Sequence, residues 1–243
     1  MAARVAIVTG SSRGIGAETA LRLSDDGIKL VINYAANSAA ADEIVAKIKS
    51  KGGDAIAVKA NVSDPKDVVA LFEKAEEHFG GIDIVINCAG VLKMVKIADF
   101  EDDDFTKIME TNVRGAFNVL REAAKRVRPG GRIVTMSSSS VPMRIPTYGV
   151  YAASKAAVEA LTQVLAQELR GKQITVNAIA PGAVSTDMFY EGKTAEQIER
   201  LRVLPPLERL GETNDVANVM QFLVSDKAGW INGQIVRANG GAV

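Results

Sequence analysis

Short runs of aliphatic and β-branched residues alternate along the chain with longer segments whose apolar residues recur at helical spacing. The runs are typical of buried strands, and the spaced segments are typical of helices packed against a sheet. Strands are predicted at Arg4–Thr9, Lys29–Tyr34, Ala55–Ala60, Ile82–Asn87, Arg132–Ser137, Ile174–Ile179 and Ile235–Arg237. Helices are predicted at Ile15–Asp25, Ala39–Ser50, Pro65–Phe79, Asp104–Val127 and Val150–Arg170.

This order of elements predicts one α/β domain that spans residues 1–243, since no linker, repeat or low-complexity segment divides the chain. Alternating strands and helices favour a parallel sheet with right-handed crossovers and helices on both faces. The longest stretch without strand character, Ala183–Arg209, includes a short helical segment near Ala195–Leu201. It is interpreted either as an active-site lid or as a mobile surface insertion.

The composition of the chain limits which binding partners and cellular locations are expected. The chain has 29 basic and 29 acidic residues, a balance that favours neither nucleic acid nor an anionic membrane. No apolar run is long enough to span a bilayer, and no secretory signal is expected before the first strand. The sole cysteine, Cys88, excludes an internal disulfide and fits a reducing compartment, so a cytoplasmic location is predicted. A Ser-His-Asp triad would need His78, the sole histidine, and no metal site is predicted.

A glycine-rich loop, Thr9–Gly16, joins the first strand to the first helix, with glycines at Gly10, Gly14 and Gly16. Glycines at such a turn let the backbone approach a pyrophosphate, and the free N–H groups of the following helix bind it. The spacing is G-x-x-x-G-x-G, so the strand–loop–helix context carries the prediction. Ser12, Arg13 and Ile15 complete the predicted phosphate loop.

The end of the second strand indicates which dinucleotide is bound. An acidic residue there would bind the ribose hydroxyls of NAD, but the segment Asn33–Ser38 contains none. Arg13 can pair with a 2′-phosphate, because a guanidinium group matches phosphate oxygens. Asn33, Tyr34, Asn37 and Ser38 are predicted to line this end of the cofactor site. The sequence therefore favours NADP(H).

Tyr151 and Lys155 are four residues apart in a predicted helix and so share one face. A tyrosine with the ordinary pKa of about 10 is a poor acid–base catalyst, and a nearby ammonium group lowers that pKa. Tyr151 could then exchange a proton with a carbonyl or alcohol oxygen. The serines 137–140, after the fifth strand, could hold that oxygen. Asn112 lies within a helical pattern, either as an exposed polar residue or as an interruption that holds a water.

Together these motifs resemble the short-chain dehydrogenase/reductase family over nearly the whole chain. In order they are T-G-x-x-x-G-I-G at Thr9–Gly16, N-x-A-G at Asn87–Gly90, Asn112, the four serines, Y-x-x-x-K at Tyr151–Lys155, N-x-I-x-P-G at Asn177–Gly182, and Thr186. The most similar subgroup is the 3-oxoacyl-carrier-protein reductases and related carbonyl reductases. The resemblance implies a doubly wound, Rossmann-like domain with a mostly parallel, seven-stranded sheet.

The same resemblance implies a catalytic tetrad of Asn112, Ser138, Tyr151 and Lys155. Ser138 is chosen because it lies thirteen positions before Tyr151, the usual spacing of the family. Lys155 would also bind the nicotinamide ribose, and Asn112 would hold a water that links Lys155 to solvent. The other implied cofactor contacts are Asn61 and Val62 at the adenine, Asn87, Ala89 and Gly90 along the cofactor, and Pro181, Gly182, Val184 and Thr186 at the nicotinamide.

The resulting functional prediction is NADPH-dependent reduction of a ketone or aldehyde, with a 3-oxoacyl thioester as one candidate. The alternatives are an NAD-dependent alcohol or sugar dehydrogenase and a non-catalytic, cofactor-binding sensor. Family members are usually homotetramers, so the Ala-rich helices Asp104–Val127 and Val150–Arg170 are the expected subunit contacts. Cys88 stands where the family commonly has Asn and is interpreted as a packing residue. The expected substrate pocket comprises Val91, Leu92, Met94, Val141, Met143 and Ile145, with Arg144 either meeting an acidic group or solvated.

Overall fold

The computed structural model describes residues 3–243. Its strands are β1 (Val5–Thr9), β2 (Lys29–Tyr34), β3 (Ala55–Lys59), β4 (Ile82–Asn87), β5 (Val127–Met136), β6 (Thr175–Pro181) and β7 (Ile235–Ala238). In this part of the chain they form one sheet in the order β3-β2-β1-β4-β5-β6-β7, and every neighbouring pair is parallel. The predicted seven-stranded, doubly wound sheet is confirmed.

The helices fill the connections between the strands. They are α1 (Gly14–Asp25), α2 (Ser38–Ser50), α3 (Pro65–Phe79), α4 (Asp102–Ile108), α5 (Gly115–Arg126), α6 (Ser140–Met143), α7 (Gly149–Glu168), α8 (Asp187–Tyr190), α9 (Ala195–Val203) and α10 (Thr213–Val224). A π-helical turn, Met109–Arg114, joins α4 to α5, and short 3₁₀ turns lie at Ile97–Asp99 and Asp226–Ala228. No helix within residues 3–243 is long and apolar enough to cross a bilayer.

The sheet is buried on both faces. Successive side chains of a strand point to opposite faces, so Ala6 and Val8 of β1 join one core and Ile7 joins the other. Helices α1, α2 and α10 cover the first core, whereas α3, α5 and α7 cover the second. This double coverage explains why the strands are continuous apolar runs and not alternating ones.

Several features of the helices differ from the predicted elements: α6 and α8 were not predicted, and Val127 begins β5 and does not end a helix. Helix α10 is missing from the prediction, although Val216, Met220 and Leu223 are buried at helical spacing. The predicted single helix Asp104–Val127 is interrupted by the π-helical turn that contains Asn112. A π-helical turn inserts one residue into a helix and often marks a functional site.

The order of the sheet places a crevice beside β1. The chain leaves β1 toward β2 on one side and resumes at β4 on the other, so the connections diverge at this point. Ligands of such sheets bind in the crevice at the carboxyl ends of the strands. Residues 183–209 extend from this same edge and carry α8 and α9. Their base is closed by a parallel bridge between Val184 and Gly211.

Candidate active site

A cleft of about 1100 Å³ lies at the carboxyl ends of the strands. It brings together most of the predicted site residues, which are Gly10, Ser12, Arg13, Gly14, Ile15, Gly16, Asn33, Tyr34, Asn37, Asn61, Val62, Ala89, Gly90, Ser138, Tyr151, Lys155, Pro181, Gly182, Val184 and Thr186. Three predicted residues, Ser38, Asn87 and Asn112, are not part of its wall.

The glycine loop packs too closely for side chains at two of its positions. Gly10 has a φ of +61°, and a Cβ atom there would lie 2.8 Å from the Cα atom of Ala89. A Cβ atom on Gly16 would lie 2.6 Å from the carbonyl oxygen of Gly10. Helix α1 starts directly after this turn without a side-chain cap, so its first N–H groups are available to an anion. The loop therefore has the shape and the donors of a phosphate cradle.

Two predicted cofactor contacts instead support the loop through their side chains. Asn33 is buried; its Oδ1 accepts from the N–H of Gly10 at 3.2 Å, and its Nδ2 donates to the carbonyl of Ala60 at 3.0 Å. The buried Oδ1 of Asn87 accepts from the hydroxyl of Thr9 at 2.9 Å. These bonds tie the ends of β1, β2 and β4 together and hold the cradle in place.

The adenosine end of the cleft lacks negative charge. Asp187 and Asp215 are the carboxylates that line the cleft within residues 3–243, and both belong to its C-terminal wall. Arg13 is exposed at the cleft, with no ion pair among the described residues. The Oδ1 of Asn37 accepts from the N–H of Ala40 at 3.0 Å and so caps α2. This end is suited to an additional phosphate.

The side chains of α7 that face β5 form the candidate reactive centre. The hydroxyl of Ser138 lies beside the phenol of Tyr151, and Lys155 Nζ lies 5.7 Å from the centroid of the Tyr151 ring. Lys155 is buried and donates to the carbonyl of Met136 at 2.8 Å. Burial raises the pKa of Tyr151 to about 12, whereas the Ser138 contact opposes this rise. Burial also lowers the pKa of Lys155 to about 8.

The pKa of Tyr151 therefore differs from the sequence-based expectation. The expected effect was a lowered pKa caused by the Lys155 ammonium group, but burial of the phenol has the larger effect. A phenol with this pKa is protonated throughout the physiological range. A protonated phenol can act as a proton donor and not as a proton acceptor.

A series of polar contacts fixes α7 on β5. The hydroxyl of Thr135 is 2.7 Å from that of Thr162, and the Ser137 hydroxyl donates to the Glu159 carboxylate at 2.6 Å. These contacts continue the line of the Lys155 and Tyr151 contacts along the same helix face. They hold the two reactive side chains at a defined distance from the strand.

The side chain of Asn112 lies between the loop after β4 and α7, next to the candidate reactive centre. Its Oδ1 accepts from the N–H of Val91 at 2.8 Å, and its Nδ2 donates to the carbonyl of Val91 at 2.9 Å and to the hydroxyl of Ser154 at 3.0 Å. A Cβ atom on Gly90 would lie 3.3 Å from both Asn112 Oδ1 and Lys155 Nζ, so Gly90 packs between the two side chains. The π-helical turn thus orients Asn112 inward, where it fixes the loop after β4. The exposed-residue interpretation of Asn112 is wrong.

Only some of the residues predicted to form the substrate pocket line the cleft. Val91, Leu92, Met143 and Ile145 line the cleft, whereas Met94, Val141 and Arg144 do not. Sequence reasoning missed Tyr148, Phe189 and Lys193, which all line the cleft. It also missed the C-terminal residues 238–242, and Asn239 Nδ2 donates to the hydroxyl of Ser139 at 3.0 Å. Only Tyr148, which directly precedes α7 and lies three residues before Tyr151, had a local sequence signal; the others come from segments distant in sequence.

Comparisons with known proteins agree with this geometry. A family model described as enoyl-(acyl carrier protein) reductase matches residues 10–243. A short-chain type dehydrogenase/reductase of Picea abies is 51% identical, and the match covers 99% of this chain and 92% of that protein. The chain belongs to the short-chain dehydrogenase/reductase family.

Two further matches concern the cofactor of this family. An NADPH-dependent aldehyde reductase-like protein, chloroplastic, of Arabidopsis thaliana is 44% identical, with 100% of this chain and 95% of that protein covered. A short-chain dehydrogenase of Burkholderia cenocepacia, solved in complex with NADP, is 37% identical with a TM-score of 0.92; the match covers 98% of this chain and 97% of that chain. The predicted family, its oxidoreductase class and NADP(H) as cofactor are confirmed by these matches.

Proposed function

We propose that this short-chain dehydrogenase/reductase reduces a ketone or aldehyde carbonyl with NADPH, with Tyr151 as the general acid. The observation that supports this assignment is the placement of the Tyr151 phenol in the cleft, beside the Ser138 hydroxyl and with Lys155 Nζ 5.7 Å from its ring, where burial raises the pKa of Tyr151 to about 12. A phenol that remains protonated is suited to giving a proton to a carbonyl oxygen that gains negative charge. The site thus favours the reductive direction.

The cradle fits the dinucleotide. The close approach at Gly10 and Gly16 leaves no room for side chains, and the N-terminus of α1 offers N–H groups to a pyrophosphate. Arg13 is proposed to hold the 2′-phosphate. The walls that would accept the rest of the cofactor are Ser12, Gly14, Ile15, Tyr34, Asn61, Val62, Ala89, Gly90, Pro181, Gly182, Val184 and Thr186. Asn33 and Asn87 are proposed to act indirectly, by fixing the loop.

Each residue of the candidate reactive centre is proposed to have a separate role in the proton transfer. Hydride donation to the carbonyl carbon is the chemistry that bound NADPH supplies. Ser138 is proposed to orient the carbonyl oxygen toward Tyr151, which donates the proton as negative charge develops. Lys155 is proposed to hold the nicotinamide ribose and to favour the phenolate that is left. Asn112 as the holder of a water for reprotonation stays a prediction, and its side chain positions Val91 beside this centre.

The direct test follows NADPH oxidation over a panel of aldehydes, ketones and acetoacetyl thioesters. We expect turnover of at least one class with NADPH, because the cleft joins a phosphate cradle to a protonated acid. The panel also identifies whether a free carbonyl or a thioester is preferred. Oxidation of alcohols or sugars with NAD⁺ that exceeds every reductive rate would support the dehydrogenase alternative. Tight NADPH binding without any turnover would support the sensor.

Replacing Arg13 with alanine should raise the KM for NADPH about tenfold to a hundredfold, which is the effect of losing a hydrogen bond to a charged group. The KM for NADH should stay nearly constant, because NADH lacks the 2′-phosphate. Steady-state kinetics with both cofactors measures the difference. Arg22→Ala is the matched control, since Arg22 lies on α1, pairs with Glu18 at 3.4 Å and is outside the cleft. An unchanged KM for NADPH in Arg13→Ala would move 2′-phosphate recognition to another residue.

Two broader predictions concern the assembly and its location. A homotetramer is proposed on the basis of family resemblance, with support from exposed apolar side chains on the expected helices, Phe117 on α5 and Val164 on α7. The cytoplasmic location stays a prediction that rests on the single cysteine. The substrate is proposed to be a small carbonyl compound or an acyl thioester.

A further inference from the structure

Lys193 lies on the wall of the cleft that residues 183–209 form, between α8 and α9. Its side chain is half-buried, and burial lowers the pKa of its ammonium group. Nζ donates to the carbonyl of Phe189 at 2.6 Å, and it lies 4.9 Å from the centroid of the Phe189 ring. A lysine that is held and partly desolvated in this way is positioned, unlike a solvated surface cation.

The ammonium group of Lys193 has no carboxylate within 4.0 Å among residues 3–243. The other cations of the cleft have different surroundings. Lys155 is buried beside Tyr151, Arg13 lies at the adenosine end, Arg209 pairs with Asp215 at 2.6 Å, and Arg237 is exposed on β7. Lys193 is therefore the half-buried cation that residues 183–209 contribute to the cleft. Its ammonium group has three N–H donors and gives one to the carbonyl of Phe189, so two remain for a ligand.

Tyr148 connects this cation to the reactive centre. Lys193 Nζ lies 5.9 Å from the centroid of the Tyr148 ring, and the Tyr148 ring centroid is 6.2 Å from that of Tyr151. Lys193 is thus separated from the proton donor by one aromatic ring, which itself lines the cleft. A substrate that covers the Tyr148 ring would present one end to Tyr151 and the other to Lys193.

We propose that Lys193 forms an anion subsite and that the preferred substrates are carbonyl compounds that carry a carboxylate. This inference rests on the proposed carbonyl reduction and adds the chemical class of its substrate. A carboxylate bound there would accept a charge-assisted hydrogen bond from a cation that is already partly desolvated. The two aromatic rings beside Lys193 fit a planar or apolar linker between the carboxylate and the carbonyl.

The test compares 3- and 4-carboxybenzaldehyde with their methyl esters, which keep the aldehyde and remove the charge. For the wild type we expect a higher kcat/KM for at least one acid than for its ester. Lys193→Met, which keeps the length of the side chain, should reduce the acid-to-ester ratio by about tenfold or more, and Lys193→Arg should preserve most of it. Lys172→Met is the matched control, because Lys172 also donates to a backbone carbonyl, that of Ala124, but lies outside the cleft.

A merely structural lysine gives a different result. If Lys193 only holds residues 183–209 in place through its bond to Phe189, Lys193→Met lowers kcat/KM for acid and ester alike, the ratio stays constant, and the proposal is overturned. Calorimetric binding of 4-carboxybenzyl alcohol tests the subsite without turnover. Weaker binding to Lys193→Met than to the wild type supports the subsite. This conclusion holds even if no aldehyde is reduced, because the absence of turnover would overturn the proposed function and not the subsite. Equal binding to both proteins would overturn the subsite.

Discussion

Replacing Tyr151 with phenylalanine should lower kcat for carbonyl reduction by about 10²–10⁴-fold, the usual contribution of a positioned general acid. The variant keeps the ring and loses only the hydroxyl. In the wild type, burial keeps this hydroxyl protonated by raising the pKa of Tyr151 to about 12, and Ser138 contacts it. Without it, the developing negative charge on the substrate oxygen has no adjacent proton donor. The glycine loop proposed to bind the dinucleotide lies on other elements and should remain intact.

The measurement pairs steady-state reduction with calorimetric titration of NADPH. We expect the dissociation constant for NADPH to change by less than about threefold while turnover is nearly lost. Tyr148→Phe is the matched control, because its ring centroid lies 6.2 Å from that of Tyr151 and its hydroxyl is not assigned to proton transfer. It should lower kcat far less. Near-wild-type turnover by Tyr151→Phe would remove Tyr151 from the mechanism.

The second large effect is expected from Gly10→Ala. Gly10 adopts a φ of +61°, which costs an L-residue about 1–2 kcal/mol. In addition, the new Cβ atom would lie 2.8 Å from the Cα of Ala89, a backbone atom that cannot rotate away. The loop or the end of β4 must move, and the phosphate donors move with it. We expect the dissociation constant for NADPH to rise at least about tenfold, as for the loss of one charge-assisted bond.

The variant Gly27→Ala is a control that separates the effect of backbone strain from the effect of steric overlap. Gly27 has a φ of +75°, but a Cβ atom there meets nothing within 4 Å. Both variants should therefore lose about 1–2 kcal/mol of unfolding free energy from backbone strain. Gly10→Ala should lose about 1–3 kcal/mol more from the overlap, and it alone should weaken NADPH binding. Urea unfolding and NADPH titration measure these quantities, and equal NADPH affinities in the two variants would contradict the close-approach argument.

Local patterns were sufficient for most of the fold. The bounds of β2, α3 and β4 are those predicted, because a buried strand and an amphipathic helix are both defined by the spacing of apolar residues within a few positions. Helix α10 lies outside the predicted elements, although its apolar residues have helical spacing and Glu212 and Asp215 form a capping box at its N-terminus. The π-helical turn at Asn112 was expected only as a possible interruption, because its geometry depends on contacts with Val91 and Ser154.

The sequence by itself determined the doubly wound domain and the preference for NADP(H), and it predicted the glycine cradle and the Tyr151–Lys155 pair. Each of these depends on residues that are close together along the chain or on motifs that appear in a fixed order. Only the tertiary structure decided that Asn33 and Asn87 support the loop, that burial keeps Tyr151 protonated, and that Lys193 faces the cleft. The physical reason is that desolvation and hydrogen bonding depend on neighbours in space, and for these residues many of those neighbours lie on other elements of the fold.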